Sequence, residues 1–225
     1  MSVCLEAATW TAATIGVYAC ARRLYLRGRA HPLLNPAVST ALVLYAATRV
    51  LAVSFVEYRQ STRPLAFLLG PATVAFAVPV YRRLVELEKA LMPALCAIVA
   101  GSLTAAVSAM AIARALGAPT LIVRSLAPKS VTTPIAMAVS SSVGGSPELT
   151  AGFVLFTGVV GALVVPALFV LLGLSDRRAR GIAAHGFGTA RALVLGEVEG
   201  AFAILGMGLS GLFVPIVVPL LVRLF

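Results

Sequence analysis

The chain has 225 residues, 60% of them hydrophobic and 12% charged, with a formal net charge of +10. A soluble domain carries about 45–50% apolar and ~25% charged residues, so composition excludes an ordinary soluble domain and predicts a polytopic membrane protein. The positive charge does not indicate nucleic acid. Its basic residues fall in short clusters between apolar runs (Arg22, Arg23, Arg27 and Arg29; Arg82, Arg83 and Lys89; Arg177, Arg178 and Arg180), as topology signals do.

In chain order, apolar runs long enough to cross a bilayer are predicted at 5–21, 36–56, 65–81, 91–113, 150–173 and 200–222. The start, MSVCLE, is acidic and makes a poor cleavable signal, so the first run is expected to remain a helix with its N-terminus outside. Cys4, Cys20 and Cys96 lie in or beside apolar runs without a CxxC pair, and are read as small buried hydrophobes. Asn35-Pro36 opens the second run. In 68–83, LLGPATVAFAVPVYRR, Gly70-Pro71 and Pro79 interrupt a span; a structural kink is the default reading and Thr73 its main polar side chain. Ser146-Pro147-Glu148 reads as N-cap, first helical residue and first-turn acid of the fifth run, which Gly173 closes.

Two stretches, 119–143 and 179–198, do not read as plain spans. If loops 22–32 and 82–90 lie inside, a full crossing by 119–143 would put the cluster at Arg177–Arg180 outside, against the positive-inside rule. A segment that enters and returns keeps that cluster inside. The predicted fold is therefore an all-α polytopic membrane protein with about seven to eight membrane segments, some broken or re-entrant, in a single integral domain over 1–225. Spacing also admits an inverted repeat with halves 33–117 and 148–225 joined by the re-entrant segment 119–143, since 36–56 maps onto 151–171 at a shift of about 115 residues. Sequence identity across that shift is negligible.

The chemistry concentrates in the same two stretches. In PKSVTTPIA, residues 128–136, Thr133 before Pro134 predicts the start of a half-helix whose free N–H groups attract an anion, with Lys129 adding a full charge. The functional reading is a carboxylate pocket built from Lys129, Ser130, Thr132, Thr133 and backbone amides. The plain alternative is that Lys129 snorkels and the threonines only cap. In HGFGTARA, residues 185–192, Gly186 and Gly188 permit close backbone approach, Thr189 caps a following helix, and Arg191 is a planar partner for a carboxylate. His185 suits proton coupling, although a lone His is more often structural. A charge at bilayer depth costs roughly 2.5–3.5 kcal/mol, so Arg191 needs either a substrate anion or an internal acid. Glu197 and Glu199 are the candidate coupling or charge partners; two residues apart on a helix, they face different sides. Gly196, Gly200, Gly206, Gly208 and Gly211 suit tight helix contacts.

FLLGPATVAFAVPVYRR, SLAPKSVTTPIAMAVSSSVGG, HGFGTARAL and GEVEGAFAILGMGLSG, in that order, resemble the signature blocks of the LrgB family, also called CidB or antiholin-like proteins, from about residue 33 to the C-terminus. The resemblance implies one of two roles. One is control of murein hydrolase export and cell lysis; the other is transport of small organic acids, pyruvate in bacteria and glycolate and glycerate in a plastid relative. It also implies a small LrgA-like membrane partner and a bacterial cytoplasmic (inner) membrane location.

Sequence and resemblance together favour a secondary transporter, or a transporter subunit, for small organic monocarboxylates. The alternative is an antiholin-like regulator of murein hydrolase export. Partners expected are the carboxylate solute, the lipid bilayer, the LrgA-like protein and a second copy of the chain, with no nucleic acid. No cofactor, metal or enzymatic activity is expected: the chain has no HExxH and its sole aspartate, Asp176, lies in a loop.

Overall fold

The computed structural model describes residues 2–28, 34, 36–184, 188–189, 192–193 and 195–224, and every regular element among them is helical. Contacts divide the chain into two compact units, Met1–Ala77 and Val78–Phe225.

The first unit contains α1 (Ser2–Arg27), α2 (Pro36–Val50), α3 (Phe55–Ser61) and α4 (Arg63–Ala75). Between α2 and α3 the chain bends by 120°. Ala52 takes the turn with φ 52°, a backbone region unfavourable for a residue bearing a Cβ. Ser54 then restarts the helix with a capping box: its hydroxyl accepts from Glu57 N, and the Glu57 carboxylate accepts from Ser54 N at 2.9 Å. Trp10 of α1 meets Tyr58 of α3 edge-on at 5.5 Å, and Thr14 Oγ1 lies 3.0 Å from the Tyr58 hydroxyl.

The second unit holds α5 (Ala77–Arg82) from Val78 onward, α6 (Leu84–Ala115), α7 (Thr120–Leu126), α8 (Thr133–Ser142), α9 (Pro147–Leu171), α10 (Arg177–Ala183) and α11 (Glu197–Val222). Three of these, α6, α9 and α11, are long and apolar enough to cross a membrane; the bent pair α2 and α3 could make a fourth. That count covers unbroken helices among the described residues and does not confirm the seven to eight segments predicted, some of them broken or re-entrant. The predicted span 36–56 breaks after Val50. The predicted span 65–81 becomes α4 and α5, divided at residue 76 rather than at Gly70-Pro71, because Pro71 is accommodated inside α4. Cys20 and Cys96 are exposed on the chain's surface, not buried as their apolar setting suggested.

Helix α11 is the central post. Of its apolar stretch 44% is buried inside the chain, against 22% for α6 and 6% for α9. It runs parallel to α6. Their starts are joined by an ion pair between Arg83 and Glu197 at 2.8 Å, and their far ends share a core of Met110, Ala113, Val218 and Val222. Helix α9 runs the other way, since Thr150 near its start sits in the far-end hydroxyl cluster and Arg177, just after it, reaches Glu199 at the start of α11. Ser146 caps α9 by accepting from Leu149 N, Pro147 follows, and Gly173 with φ +63° ends it.

Between α6 and α9 the chain makes a short hairpin. At about 1.5 Å per residue, α7 and α8, with 7 and 10 residues, cannot cross a bilayer. Val123 of α7 shares the far-end core, and Ile135 at the start of α8 packs on Gly211 near the middle of α11. The chain thus descends from the far end through α7, turns over 127–132 about halfway along α11, and climbs back through α8, whose Val139 rejoins Val214 and Val218.

A buried knot of hydroxyls closes the hairpin's base. Thr150 Oγ1 lies 2.9 Å from the Ser125 carbonyl, 2.9 Å from the Ser146 carbonyl and 2.7 Å from Ser140 Oγ. Ser125 Oγ donates to the Leu121 carbonyl at 2.7 Å and accepts from Ser146 N at 2.8 Å. Ser125, Ser140 and Thr150 are all 0% exposed. Gly145 makes room, because a Cβ there would stand 2.5 Å from Ser140 Oγ and 3.0 Å from Ser125 N. Buried polar groups that lose a partner cost about 1–3 kcal/mol each. Thr150→Val keeps the shape and removes the hydroxyl, so it is predicted to lower the melting temperature in detergent by about 2–4 °C for each kcal/mol lost. An unchanged melt would mean that the knot does not hold α7, α8 and α9 together.

At the other end of the unit, α10 lies against α11 with Gly181 in the contact. A Cβ on Gly181 would fall 2.5 Å from the Glu199 carbonyl and 2.8 Å from Phe202 Cβ, both immobile. Phe202 is wholly buried, with Leu87 and Ala90 of α6 on its other flank. Gly181→Val is therefore predicted to unseat α10 and lower the melt by several degrees. Gly161→Ala on α9, with nothing within 4 Å, leaves it unchanged. Equal melts for the two variants would refute the close approach.

Candidate functional site

The turn of the hairpin carries the first motif. Its buried positions are backbone anchors and apolar side chains: Ala127, Pro128, Val131 and Ala136 are at most 7% exposed. Lys129, Ser130, Thr132 and Thr133 stand between them, half-exposed. The turn is held by Lys129 N donating to the Leu126 carbonyl at 3.2 Å and Val131 N to the Pro128 carbonyl at 3.4 Å. The cap of α8 is Thr132, one residue earlier than Thr133 as read from the sequence, and Pro134 falls in the first turn. Thr132 makes no side-chain cap bond. Among the described residues, the amides of Thr133 and Ile135 take no partner, nor do the hydroxyls of Ser130, Thr132 and Thr133. No acid faces Lys129 either. The arrangement is an ammonium, three unspent hydroxyls and the positive end of a helix, turned together about halfway along α11.

The second motif is only partly within view. His185, Gly186 and Arg191 lie outside the described residues. Gly188 N donates to the Ala184 carbonyl at 3.0 Å, and Thr189 is 3% exposed. Leu193 packs on Gly200 in the first turns of α11, well away along the helix from Gly211, where the hairpin turns.

Glu197 and Glu199 both have basic partners in the described structure. Glu199 is buried, and Arg177 Nε donates to its Oε1 at 2.8 Å. Glu197 is open to solvent and takes Arg83 at 2.8 Å and Arg82 at 3.7 Å, while Arg83 also holds Glu86 at 2.8 Å. The carboxylates of Glu197 and Glu86 push the Arg83 guanidinium above its ordinary pKa, and Glu199 does the same for Arg177. Both guanidinium groups keep their charge throughout the accessible pH range. The cations involved were legible only as topology markers; their role as partners depends on α6 and α11 starting side by side. The Ser125, Ser140 and Thr150 knot was also missed, and the signal for it was the run of hydroxyls and glycines SSSVGGSPELT. Among the described residues no group of three His, Cys, Asp or Glu is set to hold a metal ion.

Comparison with known proteins adds a lineage to this geometry. Residues 14–224 match the LrgB-like family. A protein named "Antiholin-like protein LrgB" from Bacillus mycoides (strain KBAB4) is 35% identical over 171 residues, covering 74% of each chain. Proteins of the same name from Bacillus cereus (strain B4264) and Bacillus anthracis (strain CDC 684 / NRRL 3495) are 34% identical with the same coverage. No solved structure matches. With the family match spanning nearly the whole chain and the apolar helices already described, this protein is a membrane protein belonging to the LrgB-like family.

Proposed function

We propose that the protein acts as an antiholin-like membrane protein, in line with the name its relatives carry, and that it does so with a small LrgA-like partner in a bacterial cytoplasmic membrane. The observation that carries this reading, beside that name, is uncovered apolar surface. Helix α9 buries only 6% of its apolar stretch within the chain, and Gly152 and Gly161 on it have nothing within 4 Å. Lipid or a partner helix has to cover that surface, and small residues let another helix approach closely. With the Arg82, Arg83 and Arg177 end facing the cytoplasm, the hairpin of α7 and α8 enters the membrane from the opposite side. No enzymatic step belongs to this reading.

The test is co-expression with an LrgA-like protein in a bacterial host, following lysis and murein hydrolase release. The chain is expected to change the lysis rate. Gly152→Leu with Gly161→Leu, which meet no neighbour in the fold, should abolish co-purification of the partner and the lysis effect while leaving the melt unchanged. A double variant that still binds the partner and acts as wild type would remove α9 from the reading. No effect of the wild type on lysis would remove the reading itself.

A second reading, transport of small organic monocarboxylates such as pyruvate, glycolate or glycerate, is favoured by one specific observation: the unpartnered Lys129, Ser130, Thr132 and Thr133 around the open start of α8. A carboxylate fits there by taking an ammonium, hydroxyl protons and amides together. The uptake of labelled acids into proteoliposomes, with and without the LrgA-like protein, separates the readings. Lys129→Ala removes a charge-assisted bond, which corresponds to roughly 10–100-fold in carboxylate affinity. If no acid accumulates under any gradient, or if Lys129→Ala transports at the wild-type rate and affinity, the carboxylate site is wrong.

A further inference from the structure

A cleft of about 240 Å³ opens at the far end of the second unit, where α6 and α11 finish and α7 begins. Its floor is apolar: Met110 is wholly buried, and Val123 and Val222 are 4% and 9% exposed. Its polar lining is Thr120 and two arginines, Arg114 and Arg124. Neither arginine has an acid partner or a hydrogen bond among the described residues. Arg124 leans over the α8–α9 turn, its Nη1 3.0 Å from where a Cβ of Gly144 would be.

Two features ask for an occupant with both a negative and an apolar part. The cleft lies at the end opposite to Arg82, Arg83 and Arg177. Cations there run against the Lys and Arg asymmetry of the second unit and are not explained as topology signals. Beside the cleft, Ile112, Leu116 and Leu121 are 60%, 81% and 49% exposed, so the arginines sit next to an outward apolar surface of the kind acyl chains cover. Guanidinium groups bind phosphate oxygens bidentately. The volume suits a phosphate and its glycerol rather than a whole lipid or a peptide.

We propose that Arg114 and Arg124 bind the phosphate of an anionic phospholipid headgroup in this cleft, with the acyl chains running over Ile112 and Leu116. The site is separate from the hairpin turn and independent of either functional reading above.

The test uses the full chain in detergent, titrated with short-chain phosphatidylglycerol, short-chain phosphatidylcholine and inorganic phosphate, reading thermal stabilisation and lipid adducts by native mass spectrometry. Phosphatidylglycerol is expected to stabilise the wild type and to form a one-to-one adduct. Phosphatidylcholine, whose choline the two cations repel, and inorganic phosphate should not do so at the same concentration. Arg114→Gln with Arg124→Gln should bind phosphatidylglycerol at least about tenfold more weakly. Ala118→Phe, which fills the cleft and leaves both arginines, should abolish the adduct. Arg59→Gln, in the other unit, serves as the control and should bind as the wild type does. Undiminished adduct formation in the double variant or in Ala118→Phe overturns the site. Equal stabilisation by inorganic phosphate overturns the lipid as its occupant.

Discussion

A chain that turns back halfway along its own core helix must pair the backbone groups of that turn without help from a regular ladder. Everything in the second unit is arranged around this requirement. Hydrocarbon offers no partner to a stray N–H or C=O, so a reversal survives only where protein supplies one. Here the base of the hairpin is tied by Thr150, which reaches the carbonyls of Ser125 and Ser146 and the hydroxyl of Ser140. Because these ties are made at the base, the hydroxyls of Ser130, Thr132 and Thr133 and the amides of Thr133 and Ile135 are left unspent among the described residues. The economy of one end produces the availability of the other.

The opposite end is held by charge rather than by hydroxyls. Arg83 and Arg177 come from segments far apart in the sequence, yet both close on the first turn of α11 through Glu197 and Glu199. The exposed pair contributes little by itself. The buried carboxylate of Glu199 is different, since removing its partner would strand a charge in the packed contact between α10 and α11. Gly181 permits that contact by lacking a Cβ. The ion pairs therefore fix which ends of α6, α10 and α11 lie together, and this puts the second unit's two basic clusters, at Arg82–Lys89 and Arg177–Arg180, at a common end of that unit, as topology signals require.

The sequence carried local structure well where the signal was local. Ser146-Pro147 and Gly173 mark the two ends of α9 as read, because caps depend on a few neighbouring residues. The start of α8 was legible within one residue, at Thr132 instead of Thr133. The breaks inside the predicted spans were not legible. Hydropathy alone counts 36–56 and 65–81 as spans, but Ala52 with φ 52° and the break at residue 76 arise from packing that no window of sequence contains. Partners of Glu197 and Glu199 were equally hidden. Arg83 lies more than a hundred positions away from Glu197 in the sequence, and only the parallel course of α6 and α11 brings them together.

Lys129 gains its meaning from this contrast. Where the chain needs a cation for architecture, it supplies a carboxylate at 2.8 Å, as for Arg83 and Arg177. Lys129 has none among the described residues, although it sits half-buried at the reversal of the hairpin beside Ile135 and Gly211. At bilayer depth an ammonium would cost roughly 2.5–3.5 kcal/mol, and among the described residues no carboxylate of α7, α8 or α11 faces Lys129 to offset it. A purely structural turn could be made with a neutral residue at position 129, since its backbone bonds involve only Lys129 N and Val131 N. At such a depth the charge would be expensive to keep. An anion arriving from outside the chain would offset it, whether the protein carries that anion across or only senses it while controlling a partner.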